Sequence, residues 1–302
     1  MSKTTTNLIG ILLTILAGIY LYYHLCSSCG VAVADNDPVE KVVTPVVPEA
    51  TSYPFALSND GYACNVNDNY NFNVSSSSIL TPLATEVSDC IGSLKTFLGE
   101  NSEKVVNITG YYTSDETNDS AFPNLGLARA NAVKNSLVES GISSTQVNTF
   151  GQLKDEMVAK DNTYFGPVSY SLETEAATTA DDMKALYEKI KADPLVLYFN
   201  TAEASISLTE AQRQKIADIS HYLDKVADAS CNVVGHTDNT GKAVTNMKLG
   251  QDRADFAKAY LTKNGISDAK INASSKGQTQ PVTSNATEDG KAKNRRTVVT
   301  LN

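Results

Sequence analysis

Asp238, Arg253 and the run Asn294-Arg295-Arg296 are the residues of this chain with the most chemistry to offer. The segment Gly235 to Arg296 reads GHTDNTG, then NMKLGQDRA, then a helical run, then NATEDGKAKNRR. An acid, amides and three arginines set in one patterned segment can grip a small zwitterion. A guanidinium forks onto a carboxylate with two parallel hydrogen bonds, and a carboxylate accepts from an ammonium. Arg253 stands four residues after Leu249, on the expected inner face with Phe256, Ala257 and Tyr260. A charge turned toward an apolar face requires an anion or water. An internal Asp238–Arg253 ion pair that fixes the loop is the plainer use of the same residues. Catalysis is not expected. His236 lies near Asp238, but neither a Ser or Cys nucleophile motif nor a metal-ligand cluster accompanies it, so a hydrogen-bonding role in the loop is assigned. No cofactor is implied.

These residues need a scaffold, and the chain contains it in two degenerate copies. LGLARANAVKNSLVESGIS (Leu125 to Ser143) matches LGQDRADFAKAYLTKNGIS (Leu249 to Ser267) without a gap, with Arg129 against Arg253 and Gly141 against Gly265. Phe72-Asn73 answers Phe199-Asn200, Gly110 answers Gly235, and Gly151-Gln152 answers Gly277-Gln278. Each copy reads as a short strand (Tyr70 to Val74; Leu195 to Phe199) and a helix (Thr81 to Gly99; Thr209 to Ala227). A second strand follows (Val105 to Gly110; Cys231 to Gly235). In the second copy a polar loop leads to a helix over about Met247 to Asn264, closed by Gly265, then a strand near Ala269 to Ser274. A short helix over Thr287 to Lys293 and a last strand, Thr297 to Leu301, at the sheet edge complete it, and Asp181 to Lys191 reads as a connecting helix. Alternating strands and helices give an α+β fold with mixed sheets.

Gly235 to Gly241, Asn246, Leu249, Arg253-Ala254, Asn285, Thr287, Gly290 and Asn294-Arg295-Arg296 resemble the OmpA-like C-terminal domain over most of residues 195–302. The resemblance implies a βαβαβ-type mixed sheet and non-covalent binding of peptidoglycan through the diaminopimelate of its stem peptide. It implies that Asp238 and Arg253 hold the amino and carboxylate groups, with Thr237, Asn246 and Arg296 in support. Asn294 and Arg295 are alternatively assigned to fixing the last strand. The first copy departs from the pattern. Gly110 is followed by Tyr111-Tyr112-Thr113-Ser114, Asp115 is shifted from the place of Asp238, Phe122 falls where Asn246 is expected, and Tyr164 to Pro167 replaces the terminal Asn-Arg-Arg. Arg129 alone survives. Residues 55–173 are therefore expected to be a sister domain that no longer binds diaminopimelate and that serves as a spacer, packing partner or protein-binding surface.

Leu8 to Leu25 carries no Asp, Glu, Lys or Arg and approaches the ~20 residues a helix needs to cross a bilayer. Tyr20, Tyr22 and Tyr23 fit an interfacial aromatic belt, and Lys3 ahead of the run places residues 1–7 in the cytoplasm and the bulk of the chain in the periplasm, with an inner-membrane anchor favoured. A cleaved signal peptide ending at Ala32-Val33-Ala34, and a lipoprotein site at Cys26 or Cys29, are the competing readings. Without an intramembrane acid the helix reads as a tether rather than a proton path. Residues 26–54, with Pro38, Pro45, Pro48 and Pro54, form a linker that extends by about 3 Å per residue. Residues 174–194 then join the two copies.

The net charge of −9 argues against a nucleic-acid binder. The five cysteines are odd in number and irregular in spacing, which does not suggest a disulfide framework, and a Cys64–Cys90 pair stays open. The expected function is a non-enzymatic envelope protein that ties a membrane, or a membrane complex, to the wall. The alternative is a passive wall-anchor subunit of an envelope motor or secretion machine.

Overall fold

The computed structural model describes residues 13–26, 49–59, 61–174, 180–199 and 207–302. Two compact units are present, Met1–Val47 and Pro48–Asn302. In the first, residues 13–21 are α-helical and Tyr22–Cys26 continues as a π-helical turn. Among the described residues no helix is long and apolar enough to cross a membrane. The start of the expected span (residues 8–12), Cys29, the Ala32–Ala34 pattern and residues 27–48 of the linker lie outside the described residues.

The second unit opens with a hairpin of β1 (Phe55–Asn59) and β2 (Tyr62–Val66), turned at Gly61 with φ of +91°. The first repeat continues through β3 (Phe72–Asn73), α1 (Thr85–Glu100), β4 (Lys104–Tyr112), α2 (Leu125–Glu139), β5 (Val147–Leu153), β6 (Thr163–Tyr164) and β7 (Val168–Thr174). Its central sheet has the order β5-β4-β7, with β4 parallel to β5 and antiparallel to β7. Helix α1 buries Val87, Ile91, Leu94 and Leu98, one stripe at helical spacing. Cys90 lies on that face and forms a disulfide with Cys64 of β2, which ties the hairpin to the helix.

Helix α3 (Ala180–Ala192) ends before Pro194 and leads into the second repeat. Its elements are β8 (Leu195–Tyr198), α4 (Glu210–Lys225), β9 (Cys231–His236), α5 (Ala243–Lys263), β10 (Ile271–Gly277), α6 (Glu288–Asn294) and β11 (Arg296–Leu301). The sheet order is β10-β9-β11-β8, with β9 parallel to β10 and β11 antiparallel to both neighbours. Thr209 and Gln212 start α4 with a reciprocal capping box. Both repeats close their second helix alike. Gly141 (φ +96°) and Gly265 (φ +98°) take the left-handed conformation, and the amides of Ile142 and Ile266 reach back to the carbonyls of Leu137 and Leu261.

The two repeats also share a tighter device. A Cβ on Gly235 would stand 1.8 Å from the carbonyl oxygen of Gly250, and one on Gly110 would stand 2.1 Å from that of Gly126. The second helix of each repeat therefore touches the second strand backbone to backbone.

The repeats are joined by more than sequence. The Lys134 ammonium pairs with the Asp224 carboxylate near the C-terminus of α4. Ser144 donates to the Asp224 carbonyl at 3.0 Å, Lys225 donates to the Thr145 carbonyl at 2.8 Å, and the Ala121 amide donates to the Asn264 side chain at 2.9 Å. The Asp224 carbonyl near the end of α4 thus finds its donor in the first repeat, and those of Leu223 and Val226 accept from Lys270 of the second, as helix C-termini require.

Several details differ from the sequence reading. Strand β11 is not an edge strand: Val298 faces Val234 on one side and Val196 on the other, so β10 and β8 are the edges. The first strand of the first repeat shortens to Phe72–Asn73 and leaves the central sheet to pair with β6. The buried face of α5 runs through Asn246, Gly250, Arg253, Ala254, Ala257 and Leu261, so Leu249, Phe256 and Tyr260 are only half-buried. The close glycine contact sets that rotation: it bars a Cβ at position 235, and a Cβ at position 250 would stand 2.2 Å from Ser275 Oγ.

Gly235→Ala should lower stability by about 3 kcal/mol or more, since the new methyl meets backbone that cannot rotate away. Gly92→Ala, at an open position within α1, should raise it by about 1 kcal/mol; urea denaturation followed by circular dichroism separates the two. Reduction of Cys64–Cys90, which closes a loop of 26 residues, should cost about 3 kcal/mol, read as a lower thermal midpoint in dithiothreitol.

Candidate functional site

The C-terminal end of β9, the loop after it and the first half of α5 bring the charged residues together. Arg253 is 1% exposed. Its Nη1 donates to the His236 carbonyl at 3.1 Å, and its guanidinium lies over the Phe199 ring, 5.3 Å from the centroid. Asp238 follows His236 by two residues. Its Oδ1 accepts from the Thr240 amide at 2.8 Å and its Oδ2 from Arg295 Nη1 at 3.0 Å. An ionised carboxylate has about four acceptor sites, so capacity for another donor remains. Both partners of this ion pair keep a little contact with solvent, Arg295 at 14% and Asp238 at 11%.

The loop is held from both sides. The Thr237 amide donates to the Gly277 carbonyl at 2.9 Å. Asn246, buried in the first turn of α5, donates to the Asp238 carbonyl at 3.2 Å and to the Gln278 side chain. Arg296 reaches the carbonyls of Gln280 at 3.2 Å and Asn294 at 3.4 Å. Asn294 is fully buried and fastens the 282–285 turn: it accepts from the Val282 amide at 2.8 Å and donates to the Thr283 carbonyl at 2.9 Å.

Charge in the site is fixed by these contacts. Burial acts to raise the Asp238 pKa, but the Thr240 amide and Arg295 outweigh it, and the carboxyl sits below its usual value. It is ionised at neutral pH. Burial, then the like charge of Arg295, lowers the Arg253 pKa, and Asp238 opposes them; a guanidinium stays protonated nonetheless. One carboxylate therefore acts on two arginines. His236 is buried, and burial, then Arg296 and Lys276, bring its pKa down to about 4. At neutral pH the imidazole is therefore neutral, and the imidazolium that would act as a general acid is scarce. Among the described residues no three His, Cys, Asp or Glu side chains gather as a metal site would require.

The first repeat shows the same arginine in a different state. Arg129 Nη1 donates to the Tyr111 carbonyl at 2.8 Å, and the guanidinium lies 5.6 Å from the Phe72 ring centroid, as Arg253 does with His236 and Phe199. Its outer fork is closed by Glu116, with Nη1 to Oε2 at 3.0 Å and Nη2 to Oε1 at 2.5 Å.

Asp238, Arg253, Thr237, Asn246 and Arg296 all lie in or beside this loop, with distinct tasks. The carboxylate of Asp238 is ion-paired with Arg295, so the expected alternative of an Asp238–Arg253 pair is not the arrangement found. Sequence reading counted Arg295 among the three arginines but gave it no ligand contact, noted Gln278 only as a match between the repeats, and passed over Glu116. The match of Phe72 to Phe199 held a signal for the ring beneath each arginine. Glu116 carried none, since the loop around it differs in length between the copies.

A family profile described as the OmpA family matches residues 71–164 and again residues 198–295. The chain is similar to the probable lipoprotein YiaD of Escherichia coli, 30% identical over 142 residues that cover 45% of this chain and 65% of that protein. It is also similar to the peptidoglycan-associated lipoprotein of Buchnera aphidicola, 31% identical over 120 residues that cover 39% of this chain and 67% of that protein. It thus spans about two thirds of the length of these two relatives. Among solved structures, the peptidoglycan-associated lipoprotein from Burkholderia pseudomallei aligns at 27% identity with a TM-score of 0.33, covering 35% of this chain and 89% of that one. One family profile fits two separate stretches that carry the two repeats, and the chain accordingly belongs to the OmpA family, with the family's unit present twice.

Proposed function

We propose that this chain binds peptidoglycan without covalent chemistry, through the diaminopimelate of the stem peptide, and ties a membrane to the wall. The observation that carries the reading is the charge balance of the β9–α5 loop, where Asp238 serves both Arg253 and Arg295. Among the described residues the loop sets two arginines by one carboxylate, an arrangement that suits a ligand carboxylate. Arg253 receives that carboxylate, with Arg295 beside it, and the remaining acceptor sites of Asp238 receive the ammonium. Thr237, Asn246 and Arg296 hold the loop in the binding geometry rather than supply charge of their own. The relative from Buchnera aphidicola is named for an association with peptidoglycan.

The anchor in this reading is a single helix over residues 8–25. Leu13, Ile15, Leu16, Ile19 and Leu21 are all exposed along the described part, which suits a lipid surround. The Cys64–Cys90 disulfide fits an oxidising compartment, and we place residues 55–173 and 195–302, joined by residues 174–194, in the periplasm of an inner-membrane protein. The first domain acts there as spacer or protein-binding surface.

Asp238→Asn and Arg253→Lys should each weaken co-sedimentation with purified sacculi by about 10- to 100-fold, the loss of a charge-assisted contact, with unchanged far-UV circular dichroism. Wild-type sedimentation of both variants would exclude the site. The full chain should stay with membranes through an alkaline carbonate wash, and a chain lacking residues 1–47 should not; release of both would remove the tether.

A further inference from the structure

The ion pair in the first repeat is more complete than a structural salt bridge needs to be. All five N–H donors of Arg129 are used: Nε to the Ser76 carbonyl at 3.0 Å, Nη1 to Tyr111 and Glu116, and Nη2 to Asn73 and Glu116. Each oxygen of Glu116 takes two donors as well. Oε1 accepts from Arg129 and from the Ser75 amide at 2.8 Å, and Oε2 accepts from Arg129 and from the Thr113 amide at 3.0 Å. A carboxylate has about four such positions, and here every one is filled by a donor fixed on the scaffold. Both side chains are at most 1% exposed. A guanidinium fork plus two loop amides is a complete receptor for a carboxylate. It does not matter to the receptor whether that carboxylate arrives on a side chain or on a free molecule.

The loop after β9 in the second repeat offers no glutamate at the matching place. Counted forward from the shared glycine, Gly110 against Gly235, the place of Glu116 falls on Gly241. Counted back from the shared leucine, Leu125 against Leu249, it falls on Thr240. Neither carries a carboxylate. The inner contacts of the arginine, to a carbonyl and to a phenylalanine ring, are the same in both repeats. We infer that the first repeat retains a carboxylate-binding site at Arg129 that is occupied by the chain's own Glu116, a tethered stand-in for a ligand. The parallel with a ligand carboxylate rests on the reading of Arg253 given above, whereas the site at Arg129 stands on its own geometry. A linked carboxylate outcompetes a free one through its high effective concentration, so the wild-type site does not exchange.

Removal of the Glu116 side chain should expose the receptor. Thermal unfolding of the full chain in detergent is measured while sodium acetate or propionate replaces chloride at constant ionic strength and neutral pH. Glu116→Ala should unfold at a lower temperature than wild type, and acetate or propionate should restore part of the loss with saturation in the millimolar range, by linkage of binding to folding. Wild type and the double variant Glu116→Ala with Arg129→Met should show no such response. A folded Glu116→Ala chain that responds to carboxylate no more than to chloride overturns the inference. If Glu116→Ala does not fold in either salt, Glu116→Gln decides: it keeps the shape but turns an amide against the fork. A lowered midpoint supports the inference, and a midpoint equal to wild type overturns it. Sacculus binding is read separately in each variant, so a failed rescue leaves the second repeat's function standing, and a second repeat that ignores sacculi leaves the rescue intact.

Discussion

The backbone contact between Gly235 and Gly250 is the constraint from which the site follows. It seats α5 on β9 at the closest distance two backbones permit and sets the helix rotation. Arg253, three residues further along, then has a defined place under the end of β9, where the His236 carbonyl and the Phe199 ring receive it. Burying a guanidinium is unfavourable unless its donors are met, and here the His236 carbonyl at the strand end meets Nη1. Gly110 and Gly126 do the same for Arg129. The arginine is therefore a property of the scaffold, and the loop beyond it decides what the arginine serves.

That division explains how one fold supports two outcomes in a single chain. In the first repeat the loop returns a glutamate to the fork, and ion, ring and amides form a closed set. In the second the loop offers an aspartate that turns to Arg295 instead. A few residues of loop, one longer in the first copy, separate a fully enclosed ion pair from one that keeps some contact with solvent. The contacts between Lys134 and Asp224, and between Lys225 and Thr145, show the first repeat employed as a support for the second.

Most of the architecture was legible because it rests on local signals. Helical spacing in α1 and α4, the glycines after α2 and α5, and the repeat itself mark the element types and order. The position of β11 was not legible: Thr297 to Leu301 reads the same at an edge or in the middle, and only the pairing of both its sides distinguishes them. The face of α5 was misjudged by one residue because the large side chains Leu249, Phe256 and Tyr260 flank the buried stripe, while glycine and alanine line it. For the site, a motif gave Asp238 and Arg253 their neighbourhood. It could not give the partners, since the Asp238–Arg295 and Arg129–Glu116 pairs join residues whose distance depends on loop path.

Strand β11 fills the middle of the second sheet and comes last among its elements in chain order. Before residues 296–301 are available, β8 has no partner in this sheet and β9 has only β10. The Arg295 and Arg296 anchors are missing at the same stage. Synthesis runs from the N-terminus, so the first repeat has all its strands before the second can close its sheet. The loop that Arg295 and Arg296 hold therefore gains these anchors together with the strand that closes its sheet.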